Sequence, residues 1–110
     1  MSPLQKLKVR LRNKICKILK KKGYIKKEKS NDIYGCTYDF LIKYLESKFE
    51  IWMDWSNYGL CNGEYNYGWD IDHIIPLASA KDELELLNLC HYTNLQPLCS
   101  KVNRFEKRDN

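Results

Sequence analysis

Two short blocks of this 110-residue chain hold side chains able to work on one another. The first is Asp70-Ile71-Asp72-His73-Ile74-Ile75-Pro76-Leu77. The second runs from Asn94 to Lys107 and includes Asn103 and Arg104, with Arg108 just beyond it. Asp carboxylates and Asn carbonyls are the oxygen donors that a hard divalent cation takes. His73 can exchange a proton near neutrality without special help. Arg104, Lys107 and Arg108 add positive charge for an anion. Hydrolysis of a phosphodiester needs these parts: a base for water, and positive charge on the phosphate and its leaving oxygen. Taken singly, each residue has an ordinary explanation. His73 could be a satisfied core histidine, Asn94 could shape a turn, and the cations could be a solvated helix end favoured by the helix dipole. Their occurrence together points to one site.

The elements that must position these side chains can be read from apolar spacing. Residues 69–77 form a β-rich run, and Tyr92 to Leu98 reads as a second short strand. Ser100 is placed to cap a final helix over Lys101 to Lys107, so the order is strand, long connection, strand, helix. Residues 78–89 fit either a short helix or a loop. Adjacent Asp72 and His73 point to opposite faces of a regular strand, so both can serve one group only where the strand ends or twists.

Upstream, Leu4, Leu7, Leu11, Ile15, Ile18 and Leu19 recur at three- and four-residue intervals, predicting an amphipathic helix. Ser2 and Gln5 offer a capping box, and Gly23 a stop. Lys14, Lys17 and Lys20 lie among the cations on its other faces and are read as a nucleic-acid-binding track. Residues 24–36 read as a connector, with turn signals at Ser30-Asn31-Asp32 and Gly35. Thr37 can cap a second helix reaching about Phe49. An aromatic, Gly-rich stretch follows, in which Tyr58, Tyr65 and Tyr67 serve either as core or as stacking surfaces for bases.

Composition bounds the rest. The chain is long enough for one domain with one modest core. Hydrophobic residues make up 44% of it, which argues against disorder. No run approaches the roughly 18 apolar residues of a membrane helix, and the lysine-rich start lacks a secretory core. A cytoplasmic, non-membrane protein is the expectation. Five scattered cysteines, with no Cys-x-x-Cys pair, suit free thiols better than disulfides. An irregular zinc site of Cys90, His91 and Cys99, with Cys61, is the alternative. Charge is lopsided: residues 1–30 carry 12 Lys or Arg and one acid, net +11, against +5 overall, so the remainder carries −6. That asymmetry suggests a polyanion-binding end and a separate acidic, functional end.

The two blocks resemble the HNH, or ββα-metal, nuclease motif: Asp-His-Ile-x-Pro, then Asn-Leu-Gln-Pro-Leu, then Asn with Lys four positions on. The step from Asn94 to Asn103 agrees with members carrying Asn at the third motif position. Gly35-Cys36-Thr37, residues 45–49 and residues 53–59 look like a phage- and virus-encoded branch, so the similarity covers about residues 35–108. The resemblance implies an α+β fold with a ββα-metal core at 69–108, a two-stranded hairpin and a short helix. Helices precede that core, with 1–34 as a basic helical extension. It implies a DNA endonuclease, double-stranded DNA being the expected substrate, that leaves 5′-phosphate and 3′-hydroxyl ends. His73 matches the general base, and Asp72 and Asn103 the ligands of one divalent cation, Mg²⁺ or else Mn²⁺. Asn94 matches the residue that orients the His-bearing loop. Arg104 and Lys107 match phosphate contacts, with Arg108 beside them. His91 is left without an assigned role, substrate contact and loop packing being the two alternatives. A DNA-binding module of ββα shape without turnover is the runner-up.

Overall fold

The first helix sets the frame. The computed structural model describes residues 2–24 and 30–107. Helix α1, Pro3–Lys21, starts on the expected capping box: Ser2 Oγ accepts from the Gln5 N–H at 3.2 Å, and Gln5 Oε1 accepts from the Ser2 N–H at 3.3 Å. It ends where Gly23 turns to φ +82°, with the Tyr24 N–H reaching Leu19 O at 2.8 Å. A left-handed residue there closes the last turn, and glycine adopts it without a Cβ clash. Leu7, Leu11, Ile15 and Leu19 are each at most 2% exposed, so one stripe of α1 forms a wall of the core.

The 24–36 segment departs from a plain connector, because Ser30–Tyr34 forms a short helix, α2. Isolated helices this short do not hold, so packing decides: Ile33 and Tyr34 are buried, and Tyr34 Oη donates to Leu11 O at 2.9 Å. Helix α3, Tyr38–Glu46, is capped as expected by Thr37, whose Oγ1 accepts from the Phe40 N–H at 3.1 Å. It stops short of Phe49, which turns instead onto Trp55 and Trp69.

The aromatic stretch is a packed loop. Rings of Phe49, Trp55 and Tyr58 surround Trp69 at centroid distances of 5.0, 5.1 and 4.6 Å. The Trp69 indole donates to Asp54 O at 2.7 Å, so the buried ring keeps its polar edge satisfied. Tyr58 is therefore core, whereas Tyr65 and Tyr67 remain exposed.

Strand β1, Trp69–His73, pairs antiparallel with β2, Leu95–Cys99. The register sets Trp69 opposite Cys99, Ile71 opposite Pro97 and His73 opposite Leu95. Helix α4, Glu83–Leu89, lies between them in sequence, so the ambiguous 78–89 segment is helical in its second half. Asp82 caps it and Leu86 anchors it in the core. After β2 the chain enters a helix that is π-wound over Val102–Lys107. The architecture is α+β: helices packed on a two-stranded antiparallel hairpin. No described helix is long and apolar enough to cross a membrane.

Candidate functional site

Strand alternation sorts the side chains of β1. Asp70 and Asp72, two residues apart, share one face, and Ile71 and His73 share the other. The π-helix supplies a cation to each carboxylate. Arg104 grips Asp70 with both arms, Nε to Oδ2 and Nη2 to Oδ1, each at 2.8 Å. Arg104 Nη2 also reaches Gly59 O at 3.1 Å. Lys107 Nζ meets both Asp72 oxygens, at 3.0 and 2.7 Å, and Gln96 Nε2 donates to Oδ2 at 2.8 Å. Burial opposes charge on Asp70, but the guanidinium and the Asn103 amide (Nδ2 to Oδ2, 3.3 Å) outweigh it and hold its carboxyl below the usual range.

Asn94 bonds across the turn that follows His73. Its Oδ1 accepts from the Ile75 N–H at 2.9 Å, while Nδ2 donates to Ile75 O at 3.0 Å and to Leu89 O at 2.8 Å. Its backbone carbonyl takes the Ile74 N–H at 2.8 Å. One amide thus fixes the turn that leaves His73 and ties it to the end of α4.

His73 itself is 2% exposed, and its Nδ1 has no hydrogen-bond partner among the described residues. Burial first, then the charges of Lys14 and Lys107, push the imidazole down to about 3, so the ring is neutral at pH 7.

Beside this unit runs a cleft of about 900 Å³. Arg10, Lys14, Lys17 and Lys21 line it from α1, and Tyr58, Asp70 and Asn103 from the other side. Their steps of four, three and four residues put these cations along one helix face. Lys14 and Lys17 lie where the sequence placed an anion track. Lys20 is exposed and does not line the cleft, Lys21 taking that place. The structure therefore brings Asp70, Asn103 and Lys14 to one opening and sets Asp72 and His73 beneath the surface. Arg108 lies outside the described residues. Arg104 and Lys107, expected on phosphate, hold the strand carboxylates instead.

Sequence reasoning gave a site role to Asp72 and none to Asp70, although their i, i+2 relation was the available signal. It also missed Arg10 and Lys21, which only the docking angle of α1 selects. His91 packs within its own loop: Nδ1 lies 2.9 Å from Thr93 Oγ1, and its ring tilts on Tyr92 at 4.6 Å. All five cysteines are free. Among the described residues no group of three or more His, Cys, Asp or Glu is arranged to hold a metal ion.

The chain is similar to a viral protein. It is 31% identical over 112 residues to "Uncharacterized protein L246" of Acanthamoeba polyphaga mimivirus, over 97% of this chain and 45% of that protein. It thus spans less than half the length of that relative. No family model and no solved structure matches it.

Proposed function

We propose that this chain is a metal-dependent DNA endonuclease of the HNH type, with a ββα-metal core formed by β1, β2 and the helix after them. The observation that carries the proposal is the Asn94 amide, bonded to both the N–H and the C=O of Ile75 just beyond His73. A turn clamped on both polar groups gives a base a fixed position, which proton transfer requires. The unpartnered Nδ1 supports the same reading, since a buried acceptor left empty calls for an explanation.

Carboxylate and amide oxygens are the donor types that a hard cation takes. Asp72 is a wholly buried carboxylate whose two oxygens are taken by the Lys107 ammonium, so a divalent ion bound there would have to displace Lys107. Asp72 and Asn103 would hold Mg²⁺ or Mn²⁺, with Asp70 on the same strand face as a further oxygen donor. A divalent ion bound there supplies Lewis-acid neutralisation of charge on the phosphate and on the leaving 3′ oxygen. The chain's own residues do the remainder. Neutral His73 takes a proton from the attacking water, and the 5′-phosphate and 3′-hydroxyl products follow from attack opposite the 3′ oxygen. Cations of α1 hold the DNA backbone along the cleft. An imidazole pushed down to about 3 is a weak base. Arrival of the anionic phosphate counters Lys14 and Lys107 and so raises it, while burial, the larger cause, continues to hold it down.

The second reading, a DNA-binding module without turnover, draws on the depth of His73 and the Asp72–Lys107 pair. Supercoiled plasmid separates the two. Wild type with Mg²⁺ is expected to nick or linearise it, EDTA to stop the reaction, and His73→Ala to slow it about 10²–10⁴-fold while retaining DNA. DNA retention with no EDTA-sensitive cutting by wild type establishes the module instead.

A further inference from the structure

The cations of α1 are not equivalent. Arg10, Lys17 and Lys21 are exposed, whereas Lys14, on the same face, is half-buried. It sits between Leu11 and Ile15, each 2% exposed, so its stem leaves the helix at the edge of the buried stripe. The long apolar stem of lysine can lie along such a surface and deliver the ammonium beyond it. Here Lys14 lines the cleft with Asp70 and Asn103, and its charge lies within electrostatic reach of Asp70, Asp72 and His73. The two cations of the π-helix, Arg104 and Lys107, are each bonded to a strand carboxylate, and Arg10 stands over the Tyr58 ring at 5.0 Å.

We infer that Lys14 is a catalytic residue of the proposed endonuclease, supplied by α1, whose ammonium hydrogen-bonds a non-bridging oxygen of the scissile phosphate. The inference rests on the nuclease reading and deepens it: α1 completes the reaction centre instead of only tethering DNA. The ammonium donates a hydrogen bond and transfers no proton, so the hydrolysis itself is unchanged. A half-buried cation acts at lower effective dielectric than an exposed one, so it meets charge growing on the phosphate more strongly. Removing one preorganised donor of this kind slows turnover by about 10²-fold. Removing a rim lysine weakens DNA binding and lowers the salt slope by about 0.9 per phosphate contact.

The full chain with Mg²⁺ provides the test, using plasmid cleavage at saturating DNA, DNA affinity in EDTA across a salt series, and urea unfolding for each variant. Lys14→Met is expected to lower kcat about 10²-fold with affinity changed less than about threefold. Lys17→Met is expected to weaken affinity and flatten the salt slope. Lys14→Arg, which restores the charge, should recover at least a tenth of the wild-type kcat and guards against a merely structural loss. If wild type cuts and His73→Ala does not, but Lys14→Met keeps kcat within threefold, the inference falls and the nuclease reading stands. Equal slowing by Lys14→Met and Lys14→Arg, with both folded, also overturns it. If wild type and His73→Ala behave alike, the nuclease reading itself has failed.

Discussion

Exchanging Asn94 for Asp isolates the work of one amide. The two side chains have nearly the same shape, so the change removes donors without opening a cavity. Asn94 Oδ1 accepts from the Ile75 N–H at 2.9 Å, and Nδ2 donates to Ile75 O at 3.0 Å and Leu89 O at 2.8 Å. Asp keeps the first bond and loses the other two. At about 0.5–1.5 kcal/mol per neutral bond the loss is about 1–3 kcal/mol, and carboxylate–carbonyl repulsion raises it to about 2–4 kcal/mol. The facing carbonyls favour the protonated acid, so its folded pKa lies above the unfolded value of about 3.9. Folding then binds the proton more tightly. The deficit is full above the folded pKa and shrinks as pH falls through it. Urea unfolding of both proteins at about pH 7 and pH 4.5 measures this, and subtraction cancels His73 and every other shared group. Plasmid nicking should also drop by about 10²-fold, because the turn after His73 loses its fixed position. A stability within about 0.5 kcal/mol of wild type at pH 7 refutes the reasoning, given the two donors lost. So does a gap that stays constant with pH.

Three further outcomes are expected. His73 titrates at about 3 when folded and near 6.5 when unfolded, so below pH 6.5 the unfolded chain binds the proton first. Stability should therefore fall by about 1.4 kcal/mol per pH unit as pH drops toward 3, a slope missing from His73→Gln; parallel unfolding profiles over pH 7–5 contradict this. Lys107→Met takes the ammonium from a carboxylate that is 0% exposed and should cost about 3–5 kcal/mol in urea unfolding, most of it recovered by adding Asp72→Asn. A single-variant cost below about 1 kcal/mol would show that Asp72 does not depend on Lys107. Gly59 holds φ +80°, and an added Cβ would come within 2.4 Å of Arg10 Nη2. Gly59→Ala should lose about 1–2 kcal/mol, mainly from the left-handed backbone because the guanidinium can swing aside; equal thermal stability would exclude that strain.

Much of the scaffold was legible because local chemistry decides it. The Ser2–Gln5 box, the Gly23 stop and the Thr37 cap each involve residues a few positions apart, and each forms as read. The two strands and the Asn94 tie were legible for a different reason, a spaced pattern in the sequence. The misses are long-range. Helix α2 exists because Ile33 and Tyr34 find the core and Leu11 O, which nothing between 24 and 36 encodes. Asp70 is tied into the site by Asn103 and Arg104, 33 and 34 residues away. Which lysines of α1 face the cleft depends on how its stripe rotates onto the core, so Lys21 replaces Lys20 after a shift of one residue. The depth of His73 was illegible for the same reason, since burial belongs to the assembled core and not to a strand.

Pro97, set opposite Ile71 in the middle of β2, has a consequence for molecules in a crowd. Two-stranded sheets invite a third strand from a neighbouring chain, because their outer edges offer unused donors and acceptors. A visiting strand laid along β2 would meet a residue with no N–H at mid-length, breaking the ladder it needs. On the opposite margin, Trp69 O is already taken by the Gly59 N–H at 2.7 Å. Both borders of the hairpin are therefore poor templates for edge-to-edge growth, and the protein should tolerate high local concentration without zipping into fibres.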